Sequence, residues 1–291
     1  MKVTKYILPI FVVSIVILTG CIDNFQISTF DHDGLTRQYI LYLPDNLPEN
    51  APLVFVLHGY IFNAPGIMAS TGMNHVADKN GFAVCYPQGT LDEGGKTHWN
   101  ARFNISKTND IGFLIELAKF LQLEYNLNPQ RTYICGHSNG GFMSYTLACE
   151  APDVFNAIAS VAGTMSGYTW NNRNISEPIP ILQIHGLDDK IIPINGSLNS
   201  SGGWGGAPHM DTIIEFWVNF NNCSTSEYVS ISSNTNAYYY TDGIDGNEVW
   251  YYKIDNWGHG WPIYNSEKPD YNPGINASEV IWEFFESHPK Q

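Results

Sequence analysis

The chain has 291 residues, 44% of them hydrophobic and 14% charged, with 17 Tyr, 8 Trp and a formal net charge of -14. Such a length and apolar content suit one large buried core and exclude disorder. So acidic a surface repels phosphate backbones and excludes nucleic acid as a partner.

The N-terminus reads as an export signal. Lys2 and Lys5 precede an apolar segment from Ile7 to Leu18, which is too short to span a bilayer comfortably, and "LTGC" follows. That tetrapeptide resembles a lipobox, so Cys21 is the expected site of lipidation and the chain's expected link to a membrane; a plain signal peptide or an uncleaved anchor is the alternative. Removing residues 1–20 takes away two lysines and no acid, which brings the net charge to -16. The layout this predicts is a signal over 1–20, a short tether over 21–34 and one catalytic domain over 35–291.

Along the domain, "TRQYILYLP" alternates as a strand does, and "APLVFVLHG" is a near-continuous apolar run closed by glycine. Runs of the second kind belong to strands buried on both faces of a parallel sheet. Three more follow at "GFAVCYP", "RTYICG" and "IPILQIHG". Helical spacing of apolar residues appears between them in "DIGFLIELAKFLQLEY", with an Asp in its first turn, and in "GGFMSYTLACE". The segment from Asn171 to Gly206 is rich in Asn, Ser and Gly and reads as loop around one strand. "EVWYYKID" predicts a last strand, and "ASEVIWEFFESH" a closing amphipathic helix with Ser278 as a candidate cap. Alternating strand and helix predicts an α/β fold with a mostly parallel sheet and helices on both faces. Past Cys21, the cysteines at 85, 135, 149 and 223 show no CxxC pair and suggest no metal site. Cys135 ends an apolar strand and reads as a buried thiol, and Cys149 with Cys223 is a candidate disulfide.

"TYICGHSNGG" places Ser138 in a G-x-S-x-G turn between a predicted strand and a predicted helix, the arrangement of a nucleophile elbow. A serine nucleophile needs a base and an orienting acid, and the α/β-hydrolase fold supplies them in the order Ser, Asp, His. "ILQIHGLDDKIIP" offers Asp188 and Asp189 beyond a buried strand, and "NWGHGW" offers His259 after the last one. His58, His137 and His185 sit where they would hydrogen-bond loops rather than act as the base, and the remaining histidines have no motif around them. No HExxH or similar spacing suggests a histidine metal site. The expected oxyanion donors are main-chain N–H groups of Asn139, after the nucleophile, and of Tyr60 in the early loop "VLHGYIFNAPG", with Gly59 next.

These stretches, together with "YPQGT", "HWN", "NDIGFL" and "WGHGWP", resemble the esterases of the polyhydroxybutyrate depolymerase and feruloyl esterase type. The family pattern HGxxDxxVP is similar to "HGLDDKIIP", with Ile192 in place of Val, and that register implies Asp189 as the acid. Trp257 and Trp261, around His259, and Trp204, in the glycine-rich loop, are the candidate substrate-binding aromatics. The resemblance implies a cofactor-free hydrolase acting on hydroxyalkanoate, hydroxycinnamate or acetylated-sugar esters, its partner being an oligomeric or polysaccharide-linked ester. Two other readings remain open at this point: a serine peptidase of the same fold, and a surface lipoprotein that binds without catalysis.

Overall fold

The computed structural model describes residues 25–103, 105–197, 205–265, 267 and 272–290. The first half runs through β1 (Ile27–His32), β2 (Leu35–Tyr42), β3 (Leu53–Leu57), α1 (Ala64–Thr71), α2 (Met73–Asn80) and β4 (Ala83–Pro87). A short hairpin, β5 (Thr90–Leu91) and β6 (Thr97–His98), leads to α3 (Asp110–Glu124), β7 (Thr132–His137), α4 (Asn139–Glu150), β8 (Ile158–Val161) and α5 (Gly167–Asn172). The rest is β9 (Ile181–Gly186), α6 (Met210–Phe220), β10 (Thr225–Ser230), β11 (Thr235–Thr241), β12 (Val249–Ile254) and α7 (Ala277–Ser287).

The large sheet has the order β1-β2-β4-β3-β7-β8-β9-β12-β11-β10. Strands β4, β3, β7, β8, β9 and β12 are parallel, and antiparallel strands extend the sheet at each end. The central strands are buried on both faces, as their unbroken apolar runs require. In β3, Leu53, Phe55 and Leu57 enter one core layer with α3, α4 and α6, while Val54 and Val56 enter the other with α1, α2 and α7. The strand period of two thus divides one short sequence between two cores.

Chain direction across the sheet reverses between β3 and β7, because β3 leads outward to β4 whereas β7 leads the other way to β8. The carboxyl ends of strands at such a switch point are where open α/β sheets hold ligands. Leu57 and Gly136 are paired there, so the loop that begins at His58 and the turn at Ser138 rise side by side.

A buried Arg37–Asp110 ion pair at 2.7 Å fixes β2 to the start of α3, with the guanidinium 3.9 Å above the Phe113 ring. Asp110 also accepts from the Asn100 main chain at 2.7 Å, which anchors the loop after β6.

Three expectations are corrected. Residues 27–32, expected within a tether, form β1 and pair with β2 from Ile27↔Ile40 to His32↔Leu35. Cys149 and Cys223 are not bridged: Cys85, Cys135, Cys149 and Cys223 are all free thiols. The α7 cap is Asn276, whose side chain accepts from the Ser278 N–H; Ser278 instead donates its hydroxyl to Thr71 O at 2.7 Å and ties α7 to α1. The signal, Cys21 and Trp204 lie outside the described residues.

Candidate active site

Strand β7 delivers Ser138 into a tight turn at φ 53° and ψ -117°, a left-handed conformation that costs a serine about 1–3 kcal/mol. The turn persists because its surroundings fix it. Ser138 N–H donates to Val161 O at 2.9 Å, and β7, α4 and β3 pack too closely for side chains at two positions. A Cβ on Gly136 would meet the Gly140 backbone at 2.3 Å, and one on Gly140 would meet Leu57 O at 2.4 Å.

His259 arrives from the loop after β12, and its Nε2 lies 2.8 Å from Ser138 Oγ. Its Nδ1 lies 2.7 Å from Asp189 Oδ2. A carboxylate can only accept, so Nδ1 carries the proton and Nε2 is left to accept from the serine hydroxyl. The His259 and Asp189 loops are joined through Asp188 N–H, which donates to Trp257 O at 3.0 Å, and Leu187 N–H, which donates to Ile254 O at 2.9 Å.

Of the adjacent acids, Asp188 is exposed and Asp189 is 3% exposed. Asp189 Oδ1 accepts from the Ile191 and Ile192 N–H groups at 2.8 and 2.9 Å, which leaves Oδ2 for His259. Burial alone would raise its pKa, but the His259 hydrogen bond and the Ile192 N–H outweigh burial and hold the carboxyl below its ordinary value. His185 is buried beneath this loop, and burial pushes its pKa down. With Nε2 donating to Ile192 O at 2.8 Å and Nδ1 accepting from Gln183 at 3.0 Å, it is a neutral ring that supports the acid loop.

His58 also supports a loop, donating from Nδ1 to Gly59 O at 2.8 Å and accepting at Nε2 from Gly89 N–H at 2.9 Å. Burial lowers its pKa to about 4. His137 sits beside His259, ring centroids 5.0 Å apart; burial first, then the nearby His259, lower its pKa to about 4 and leave it neutral.

Asn139 opens α4, where the first main-chain N–H groups have no partner within the helix. Its side chain is engaged elsewhere: Oδ1 accepts from Trp99 N–H at 2.7 Å, and Nδ2 donates to Trp99 O at 3.0 Å. This reciprocal clasp, which motif reading missed, explains why "HWN" accompanies the elbow. Tyr60 lies in the neighbouring loop, where Ile61 N–H is bonded to Thr97 O and Phe62 N–H to Gly59 O. Among the described residues, neither the Tyr60 nor the Asn139 main-chain N–H donates a hydrogen bond.

Ser138 and His259 open into a cavity of about 510 Å³ walled by Gly59, Tyr60, Ile61, Phe62, Ile67 and Trp261, with Ser70 and His137 completing it. Trp261 is where the sequence suggested, its indole N–H held by Ser278 Oγ at 3.1 Å. Trp257 is not: it is 7% exposed, belongs to the apolar core and donates to Gly260 O at 3.2 Å. Ile61, Phe62 and Ile67 were missed as wall residues. Their signal is apolar side chains persisting in the loop and helix after "LVFVLHG", where a solvated turn would be polar. Among the described residues no group of His, Cys, Asp or Glu is arranged to hold a metal ion.

Residues 37–180 match the family described as Esterase PHB depolymerase. The chain is 29% identical over 159 residues to the "Bifunctional acetylxylan esterase/xylanase XynS20E" of Neocallimastix patriciarum, covering 55% of this chain and 22% of that protein. It is 25% identical over 273 residues to the "Probable feruloyl esterase C" of Aspergillus niger, covering 91% of this chain and 90% of that one. The chain therefore spans about a fifth of the length of the first relative and most of the second. Among solved structures, the acetyl xylan esterase from Aspergillus awamori superposes with a TM-score of 0.63 at 15% identity, over 86% of this chain and 94% of that one, a likeness of fold. On these matches and this topology, the chain has an α/β-hydrolase fold, and its segment 37–180 belongs to the PHB depolymerase family of esterases.

Proposed function

We propose that the protein is a serine esterase acting through Ser138, His259 and Asp189. The observation that carries this reading is the unbroken hydrogen-bonded relay from Ser138 Oγ through His259 to Asp189, at 2.8 and 2.7 Å, at the mouth of an apolar cavity. Ser138 Oγ attacks the ester carbonyl carbon while its proton passes to His259 Nε2. The carbonyl oxygen, now anionic, is held by the main-chain N–H groups of Asn139 and Tyr60. His259 returns the proton to the departing alkoxide, and an acyl group stays on Ser138. Water then attacks the acyl carbon and gives a proton to His259; the bond from the acyl carbon to Ser138 Oγ breaks, Oγ takes that proton back from His259, and the acid leaves. Asp189 stays ionised throughout, fixing the imidazole tautomer and offsetting its transient positive charge.

The cavity wall favours one part of the ester. Its side chains are aromatic or aliphatic apart from Ser70, Ser138 and the two histidines, and its volume of about 510 Å³ exceeds what an acetyl group fills. A neutral, largely apolar acyl group such as hydroxycinnamoyl or hydroxyalkanoyl fits it best. Export with a lipid anchor on Cys21 belongs to the same proposal, resting on the basic, apolar and "LTGC" succession of residues 1–21.

Rapid-mixing hydrolysis of an activated ester should give a burst equal to the enzyme concentration, followed by slower turnover. Ser138→Ala should remove at least about 10³-fold of kcat without loss of fold. In the same assay, feruloyl and hydroxybutyryl esters should be turned over faster than acetyl esters, and matched amides more slowly than any of them. Undiminished turnover in Ser138→Ala would refute the nucleophile, and a preference for acetyl would refute the acyl assignment.

A further inference from the structure

The loop carrying Tyr60 is fastened along its length to the β5–β6 hairpin. Tyr60 donates its phenol to Asp92 Oδ2 at 2.6 Å, Ile61 N–H donates to Thr97 O at 2.8 Å, and Thr97 Oγ1 donates to Phe62 O at 2.7 Å. Just past the hairpin, Trp99 donates its indole N–H to His58 O at 3.0 Å. The hairpin is itself built around Asp92, whose Oδ1 accepts from the Gly94 and Lys96 N–H groups at 2.8 and 2.9 Å. One carboxylate therefore shapes the hairpin turn with one oxygen and holds Tyr60 with the other.

The fastened loop is under strain. Ile61 has φ 58°, a left-handed conformation that a β-branched residue adopts only when its surroundings impose it. Burial cannot be what imposes it, because Tyr60 is 43% and Ile61 64% exposed. The hydrogen bonds to the hairpin are what remain. With the Trp99 bond to His58 O they hold the loop before and after the Tyr60 N–H and leave that N–H without a partner, in the loop that walls the same cavity as Ser138. The phenol–carboxylate bond is also stable in form: the Asp92 hydrogen bond first, then burial, raise the Tyr60 pKa to about 12, and the same bond lowers that of Asp92.

We propose that the β5–β6 hairpin is the clamp that positions the oxyanion loop, with Asp92 as a positioning residue acting through the Tyr60 phenol. Asp92 takes no part in the cavity wall, so its effect on the reaction passes through the loop that carries Tyr60. The inference rests on the acyl-transfer reading, since it concerns how one donor for the oxyanion is held.

The test compares Tyr60→Phe, Asp92→Asn, the double variant and Thr97→Val with the full chain in an activated butyrate ester assay. A boronic acid, which adds to the serine as a tetrahedral adduct, serves as transition-state analogue. Displacing a donor without deleting it should lower kcat about tenfold in each single variant, with KM within about twofold. Boronate affinity should fall by the same factor as kcat, and the double variant should be no worse than either single one, because both remove one link. Thermal midpoints should stay near the wild-type value. The clamp is refuted if Tyr60→Phe and Thr97→Val keep kcat within about twofold, or if the loss appears in KM with boronate affinity unchanged. Ser138→Ala is run alongside: if it is inactive while the clamp variants behave as wild type, only the clamp fails, and if it is fully active the triad reading fails first.

Discussion

Asp189 divides its two oxygens between different partners, and that division sets it apart from the neighbouring Asp188 as the acid of the proposed relay. Oδ1 is held by the Ile191 and Ile192 N–H groups and Oδ2 by His259. Asp189→Asn would keep the shape while presenting an amide N–H₂ to one of those donors, which favours the wrong imidazole tautomer. We expect kcat to fall by about 10⁴ with KM little changed, measured at saturating substrate; a loss of less than about tenfold would remove Asp189 from the relay. In the sequence "GLDD" the two acids are indistinguishable by chemistry alone, and a family pattern was needed to choose. The physical difference is that the turn buries one carboxylate and exposes the other. Trp257 and Trp261 show the opposite case. Both flank His259 symmetrically in "NWGHGW", yet the turn sends Trp257 into the core and Trp261 to the cavity, because the glycines between them break any strand or helix period from which a face could be read.

Among the elements, β7 and α4 form a tightly constrained junction. The apolar run, the glycines and the helix after them were legible because a strand buried on both faces and a crowded turn each impose composition. Gly140→Ala would drive a Cβ to 2.4 Å from Leu57 O, a backbone atom that cannot move without displacing β3. The variant should lose about 3 kcal/mol or more of stability, read as a fall of several degrees in thermal midpoint or as insoluble protein. An unchanged midpoint would mean that the elbow tolerates more slack than its geometry allows. Elements at the sheet margins were not legible in this way. Strand β10, "TSEYVS", is almost wholly exposed and carries no apolar run, and β1 alternates half-buried with exposed positions. Both exist because the neighbouring strand offers hydrogen bonds, a cause that lies outside their own residues. The start of α7 misled for a related reason, since Asn276 and Ser278 are both good caps and only the backbone decides between them.

Over the whole molecule, buried neutral histidines link the site's architecture to pH. His58 and His137 have pKa values near 4, against about 6.5 in an unfolded chain. Between those values the unfolded state binds more protons than the folded one, so stability is full above about pH 6.5 and falls as pH drops toward 4. Thermal midpoints recorded from pH 7 to pH 4.5 should decline, and His58→Gln should flatten the decline by removing one of the groups responsible. A midpoint independent of pH across that interval would contradict the buried, neutral assignment.

The unbridged cysteines carry a different consequence. Cys85, Cys135 and Cys149 are buried, and burial raises each thiol's pKa, that of Cys149 to about 12; the half-buried Cys223 is raised to about 11. Disulfide exchange proceeds through the thiolate, which at neutral pH is scarcely populated at any of the four. Among the described residues the fold is thus held by packing and hydrogen bonds with no covalent cross-link, and its buried sulfurs serve as small apolar core groups.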